Sequence, residues 1–200
     1  VLQYDDDPPL QVSRFGHSCD KLRGMSQLLH AAHFAAQRHS AQRRKGEAKE
    51  PYVNHLLEVA HILAQVNGVD DETLLVAALL HDCIEDAEVK RPELETLFGS
   101  AVADLVEEVT DDKSLPKARR KELQVEKAPH KSRQAKMIKI ADKISNLRAI
   151  QNSPPDDWDL QRKQDYYSWA QKVVDGCRGC HPQLEELFDS THRQGLASFG

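Results

Sequence analysis

Leu74-Leu75-Val76-Ala77-Ala78-Leu79-Leu80-His81-Asp82-Cys83-Ile84-Glu85-Asp86 decides the reading of this chain. Seven apolar residues follow one another without the alternation of a half-buried strand, and Asp70 or Asp71 stands ready to cap a helix opening at Glu72. A helix from Glu72 to about Glu85, apolar all round at its centre, is predicted to be the buried central helix. Its apolar run leads straight into one imidazole and three carboxylates. On a continuous helix His81 and Glu85 are i, i+4, as are Asp82 and Asp86, so the pairs lie on adjacent stripes one turn apart. A solvated acidic helix end is the plain alternative. Against it, three negative charges at a C-terminus are unfavourable by about 0.3–1 kcal/mol each. Carboxylates beside a core also cost several kcal/mol unless paired or metal-bound. A cation removes both penalties, so a metal site is predicted: His81 and Asp82 at the level of the ion, Glu85 and Asp86 a turn later, where they reach a metal-bound water.

Outward from this segment the pattern is helical almost throughout. Ser26 can cap a helix through Leu29, Ala32, Ala36 and His39, and Pro51 and Asn54 open another with Leu57, Ala60, Leu63 and Ala64 on one face, stopped by Gly68. Pro92 sits in a first turn and Gly99 past the end of a short helix. Ala101 to Val109, a charged segment from Pro116, and a long segment capped by Ser132 and running through Met137, Ile140, Ile144, Leu147 and Ile150 follow. Pro154-Pro155 breaks the chain, Trp158 to Val174 is amphipathic, and a last helix starts near Pro182. The expectation is an all-α single domain of about eight or nine helices. Residues 1–24, a mixture of Asp, Pro, Ser and Gly, read as a mobile N-terminal tail, and 196–200 as a C-terminal tail.

Composition narrows the function. The 200 residues are 40% apolar and 30% charged, as in a globular domain. A net charge of −5 gives no general pull towards nucleic acid or anionic membranes. No element clusters basic with aromatic residues as a nucleic-acid surface does, and the apolar run Leu74 to Leu80 falls far short of the roughly 18 residues of a membrane span. The acidic start Val1-Leu2-Gln3-Tyr4-Asp5-Asp6-Asp7 lacks the marks of a secretory signal, so a cytoplasmic, reducing setting is expected. Cys177-Arg178-Gly179-Cys180-His181 matches the spacing of covalent haem attachment. Haem is attached in exported compartments, however, and nothing else in the chain asks for a redox role, so ordinary thiols are expected there. Oligomeric state is left open.

The remaining metal ligands are sought among residues that are individually weak. His55 follows Asn54 near the start of its helix, and Asp142 sits among apolar neighbours in Ile138-Lys139-Ile140-Ala141-Asp142-Lys143-Ile144. His30, His33, His39 and His61 read as packing or surface positions. His55, His81, Asp82 and Asp142 together make a two-His, two-carboxylate set suited to an octahedral ion that keeps waters, with Mn²⁺, Fe²⁺ and Zn²⁺ all admissible.

At this point the sequence resembles a known family. His55, His81-Asp82 and Asp142 look like the metal set of the HD phosphohydrolases. Arg44-Lys45, Pro51-Tyr52-Val53-Asn54-His55, Ala77-Ala78-Leu79-Leu80-His81-Asp82, Glu85-Asp86, Val109-Thr110-Asp111-Asp112-Lys113 and Ala141-Asp142-Lys143-Ile144-Ser145-Asn146-Leu147-Arg148 resemble, in order, the hydrolase domain of Rel/SpoT alarmone enzymes. The similarity is greatest to their stand-alone metazoan form and places an HD-type domain over 25–195. It implies one Mn²⁺ per chain on His55, His81, Asp82 and Asp142, with Glu85 and Asp86 as catalytic carboxylates. It further implies substrate contacts from Arg44, Lys45, Lys117, Asn146, Arg162 and Tyr166. The implied reaction converts guanosine tetra- or pentaphosphate (ppGpp, pppGpp) to GDP or GTP plus pyrophosphate. Removal of the 2′-phosphate of NADPH is the alternative activity, and a non-catalytic nucleotide-binding protein the alternative of another class.

The residues agree with that chemistry. A polyphosphorylated nucleotide needs local cations on an acidic protein, and Arg44-Lys45, Lys113, Lys117, Lys143, Arg148 and Arg162 are candidates. The chain departs from the family at Ala87, where Thr is frequent, at Cys83, and at Ser145, where a larger residue is frequent. Ala87 and Ser145 are therefore expected to alter hydrogen bonding in the pocket.

Overall fold

The computed structural model describes residues 16–66 and 68–199, with side chains from residue 27 onward. Ten α-helices and one 3-10 turn make up the described residues: α1 Gly16–Arg38, α2 Val53–Ala64, α3 Glu72–Leu80, α4 Cys83–Asp86, α5 Arg91–Phe98, α6 Ser100–Val109, α7 Lys117–Lys127, the 3-10 turn Ala128–His130, α8 Arg133–Asn152, α9 Leu160–Cys177 and α10 Pro182–Ala197. No strand occurs among them; a single antiparallel bridge joins Arg43 to Pro51. The all-α expectation holds.

Several helix boundaries follow from side chains that the sequence marks. Asp71 accepts the Leu74 N–H at 3.0 Å to open α3, and Ser132 accepts that of Ala135 at 3.2 Å to open α8. Pro92 lies in the first turn of α5. Gly99, at φ +88°, takes the left-handed turn between α5 and α6 that a side chain resists. Asp159 caps α9, which begins at Leu160, two residues after the expected Trp158, and accepts from Arg162 N–H at 2.7 Å.

Three expectations change. Helix α1 begins at Gly16, ten residues before the Ser26 cap, so the expected tail over 1–24 lies outside the described residues only as far as residue 15. At the other end α10 continues to Ala197, and Phe199 packs edge-on against Tyr167 at 5.1 Å; Gly200 lies outside the described residues. The central helix is also not continuous to Glu85. It stops at Leu80, Asp82 leaves the helical region at φ −102°, ψ 1°, and a separate single turn carries Cys83–Asp86. His81 Nδ1 lies 2.7 Å from the Ala78 carbonyl three residues back, a side-chain bond that competes for the helix's own backbone acceptors. This break turns nine helices into ten.

Two helices run through the interior. Helix α3 is packed by α1, α2 and α6, and α8 by α2, α9 and α10. Val76, Ala77, Ala78 and Leu80 are fully buried on α3, as are Ile138, Ile140, Ile144 and Leu147 on α8. Helix α8 also buries Lys139, Asp142, Lys143 and Ser145, a polar set that a purely structural core helix has no reason to carry. The loop after α1 is latched to the far end of α8. Glu47 N–H donates to the Pro154 carbonyl at 3.2 Å, Ala48 N–H to Ser153 Oγ at 3.0 Å, and a Cβ at Gly46 would stand 2.1 Å from the Ser153 carbonyl oxygen.

Candidate metal and nucleotide site

Helix α2 supplies His55, the α3–α4 break supplies His81 and Asp82, and α8 supplies Asp142. One ligand atom each of His55, His81 and Asp82 lies within 4.8 Å of the others. His81 Nε2 is 3.2 Å and His55 Nε2 3.7 Å from Asp82 Oδ2, and Asp142 Oδ1 is 3.3 Å from His55 Nε2.

Hydrogen bonds on the far side of each ring decide what these atoms present. His81 Nδ1 faces the Ala78 carbonyl, which only accepts, so Nδ1 carries a hydrogen. His55 Nδ1 faces Ser145 Oγ at 2.8 Å; that hydroxyl gives its one hydrogen to Glu58 Oε2 at 2.7 Å and must accept from the ring. In its neutral form each imidazole therefore turns an Nε2 lone pair towards carboxylate oxygens. His81 Nε2 is buried with no hydrogen-bond partner. Lone pairs do not converge on carboxylates without a cation between them, so the donor set fits a divalent metal ion. The same field acts on protons. Burial alone would lower the His81 pKa, yet the Asp82 carboxylate raises it; a proton and a metal ion compete for one position.

The remaining oxygens of the carboxylates are held in place. Tyr52 O–H donates to Asp82 Oδ2 at 2.7 Å. Lys143 Nζ donates to Asp142 Oδ2 at 2.8 Å and Asn146 Nδ2 to Asp142 Oδ1 at 2.6 Å. Arg44 Nη2 reaches Asn146 Oδ1 at 3.1 Å.

Beyond this cluster opens a cavity of about 610 Å³. Its inner wall carries Tyr52, Glu85, Asp86 and Asn146, each bonded to the cluster or a turn away from it. Glu85 accepts from the Asp111 backbone N–H at 3.1 Å and pairs with Arg120 at 3.3 Å. Burial, helped by the Asp111 carboxylate, pushes the Glu85 pKa up to about 7. Asp86 pairs with Lys113.

The cavity is lined by eight basic residues (Arg43, Arg44, Lys45, Lys113, Lys117, Arg120, Lys121 and Arg162) against four acids, Glu85, Asp86, Asp111 and Asp165. The local balance of +4 opposes the chain's net −5. Partial burial together with Lys45 and Arg162 lowers the pKa of Lys117, and burial with Lys117 and Lys143 lowers that of Lys121. Cations crowded in this way are relieved by an anion. One wall is aromatic: Trp158, Tyr166 and Trp169 form a chain with ring centroids 5.5 and 5.2 Å apart, a surface for stacking a planar group.

All six residues expected to touch substrate line this cavity: Arg44, Lys45, Lys117, Asn146, Arg162 and Tyr166. Two other candidate cations do not. Lys143 is buried against Asp142, and Arg148 pairs with Glu58 at 3.2 Å beside a separate hollow of about 130 Å³. Ser145 is not in the pocket either; it lies behind His55. Sequence reasoning gave no role to Tyr52, Glu58, Arg120 or Trp169. Arg120 was legible in principle. Helix α7 buries no residue, and Lys117, Arg120, Lys121 and Gln124 recur at 3.6-residue spacing on the face that lines the cavity. Cys177 and Cys180 are buried, and burial pushes the Cys180 thiol up to about 11, as expected of unreactive thiols.

Comparison with known proteins agrees with this architecture. A relative from Xenopus tropicalis named guanosine-3′,5′-bis(diphosphate) 3′-pyrophosphohydrolase MESH1 is 50% identical over 171 residues, covering 85% of this chain and 96% of its own. The human protein of that name is 50% identical over 169 residues, covering 84% and 94%. A solved structure described by the words "A metazoan ortholog of SpoT hydrolyzes ppGpp and plays a role in starvation responses" superposes with a TM-score of 0.81 at 46% identity, covering 84% of this chain and 94% of that one. The HD domain model matches residues 31–168, which carry every member of the metal cluster and nearly all of the cavity wall. By sequence and by fold, this chain belongs to the HD domain family.

Proposed function

We propose that the chain is a Mn²⁺-dependent hydrolase of guanosine 3′,5′-bis(diphosphate) and its pentaphosphate analogue, releasing pyrophosphate and GDP or GTP. One observation carries the reading: the Nε2 atoms of two buried imidazoles meet carboxylate oxygens at 3.2–3.7 Å behind a cavity walled by eight cations. The names of the relatives supply the substrate class. In this reading His55, His81, Asp82 and Asp142 hold one ion. The bound ion supplies Lewis-acid polarisation of a phosphoryl oxygen and acidifies a water.

The chain's own residues do the rest. Intact pyrophosphate leaves when the bond between the ribose 3′-oxygen and its phosphorus breaks, so the water oxygen ends on that phosphorus. Glu85, with a pKa near 7, accepts the water's proton. Asp86, held by Lys113, orients the water. Arg44, Lys45, Lys117 and Arg162 neutralise the phosphates, Asn146 fixes the orientation of Asp142, and Tyr166 with its aromatic neighbours supports the planar base. The functional unit runs from α1 through α10. Among the described residues no helix is long and apolar enough to cross a membrane, and three buried free thiols suit a reducing cytoplasm.

The test is metal-depleted protein given Mn²⁺, with pyrophosphate release from the tetraphosphate followed beside orthophosphate release from NADPH. Absence of pyrophosphate from the first substrate overturns the proposal. Faster release from the second transfers the same site to the alternative substrate, and tight binding without product marks a nucleotide-binding protein.

A further inference from the structure

Behind His55, on the side away from the cavity, a chain of polar contacts runs to the surface. His55 and Ser145 are buried. His55 Nδ1 donates to Ser145 Oγ at 2.8 Å, and Ser145 Oγ donates to Glu58 Oε2 at 2.7 Å. Glu58 Oε1 accepts from Arg148 Nη1 at 3.2 Å. Glu58 and Arg148 lie on two helices of the site, α2 and α8, and their side chains are about one-third exposed. Glu58 is one turn after His55 on α2, and Ser145 is one turn after Asp142 on α8. The contact therefore ties together the two helices that carry these ligands.

The geometry points to Glu58 and Ser145 as positioning residues for the metal ligand His55, an inference that rests on the metal-centre reading above. A hydroxyl has one hydrogen. Because Glu58 takes it, Ser145 offers His55 only a lone pair, and the imidazole must place its hydrogen on Nδ1. The lone pair then lies on Nε2, towards Asp82 and Asp142. Without the carboxylate the hydroxyl is free to rotate and donate to Nδ1 instead, which puts the hydrogen on Nε2 and blocks the ligand atom. A carboxylate relayed through a hydroxyl thus performs the task that a carboxylate bonded directly to a ligand histidine performs in other metal sites. Arg148 holds Glu58 aimed inward. Neither Glu58 nor Ser145 lines the main cavity, so neither is a catalytic residue.

The test is Mn²⁺ titration of the metal-depleted full chain, with free Mn²⁺ read by electron paramagnetic resonance. S145A and E58L are each expected to weaken Mn²⁺ binding by about 10–100-fold, the range for such outer partners. The effects should not add: with the two residues in series, E58L/S145A binds no more weakly than S145A. S145T, which keeps a hydroxyl, should bind within about twofold of wild type, a factor inside the usual scatter of independent sites. Both truncations should fold, since alanine is favoured inside a helix and Glu58 is partly exposed. A second readout is the ¹⁵N spectrum of the histidines in metal-free protein: S145A should show His55 with hydrogen on Nε2. Wild-type affinity in both S145A and E58L, additive losses, or an unchanged His55 tautomer in S145A would each overturn the relay. Failure of wild type itself to bind Mn²⁺ sinks the metal-centre reading, and the relay with it.

Discussion

Replacing Glu85 by Gln should stabilise the metal-free protein at alkaline pH while abolishing turnover. Glu85 has its pKa raised by burial and by Asp111 from an ordinary 4.5 to about 7. A carboxylate whose folded pKa lies above its unfolded one binds more protons in the folded state, so stability falls as pH rises. The loss begins near the unfolded value and is complete above the folded one. Between pH 5 and pH 8 the shift corresponds to about 2.5 kcal/mol. The carboxylate faces an open cavity and retains Arg120 at 3.3 Å, which reduces the effect to about 1–2 kcal/mol. In E85Q the amide oxygen still accepts from Asp111 N–H, but the amide nitrogen faces Arg120 and loses that weak bond, which takes back about 1 kcal/mol at every pH. The informative quantity is therefore the difference between pH values. Relative to wild type, E85Q should gain about 1–2 kcal/mol on moving from pH 5 to pH 8, or about 2–8 °C in melting temperature for a chain of this length. Chemical denaturation of metal-free wild type and variant at both pH values, beside pyrophosphate release by the Mn²⁺-loaded proteins, tests both halves. A pH-independent stability difference would show that Glu85 is not an uncomfortable buried carboxylate, and retained turnover would remove it as the proton acceptor.

Other outcomes follow from the same geometry. Asp82→Asn should lose Mn²⁺ and activity together, because a carboxylate common to both imidazoles becomes a neutral amide; metal analysis after gel filtration decides this. Tyr52→Phe removes the O–H bond to Asp82, of the strength of a hydrogen bond to a charged group, about 1.5–3 kcal/mol, and should weaken Mn²⁺ binding by roughly 10–100-fold in an equilibrium titration. Lys117→Ala removes one cation of the crowded wall and should raise KM by about tenfold with kcat little changed, an effect that shrinks with added salt; an unchanged KM would place the phosphates elsewhere.

Where sequence reading succeeded and failed has a physical pattern. His81-Asp82 stood out because charge directly after seven apolar residues has few explanations. Asp71, Pro92, Gly99 and Ser132 were legible as helix ends because capping and left-handed turns are local chemistry. The break between α3 and α4 was not legible, because it turns on one side-chain bond from His81 to a carbonyl that the sequence cannot orient. Arg148 and Lys143 were misplaced for the same reason: a charge is visible in sequence, but its partner is not. Glu58 lies three residues from a ligand histidine, and its role appears only when α8 brings Ser145 against it. Ser145 itself was noticed as unusual, and the structure moves its consequence from the pocket to the back of His55.

The latch between Gly46 and Ser153 gives α8 a metrical role. Asp142 stands near the middle of this buried helix, and the loop carrying Arg44 and Lys45 is clamped to its C-terminal end, eleven residues on. At 1.5 Å per residue that separation is about 16 Å along a rigid rod. The helix therefore sets the distance from the loop's anchor to Asp142, and Arg44, whose guanidinium reaches back to Asn146 Oδ1 at 3.1 Å, spans that distance.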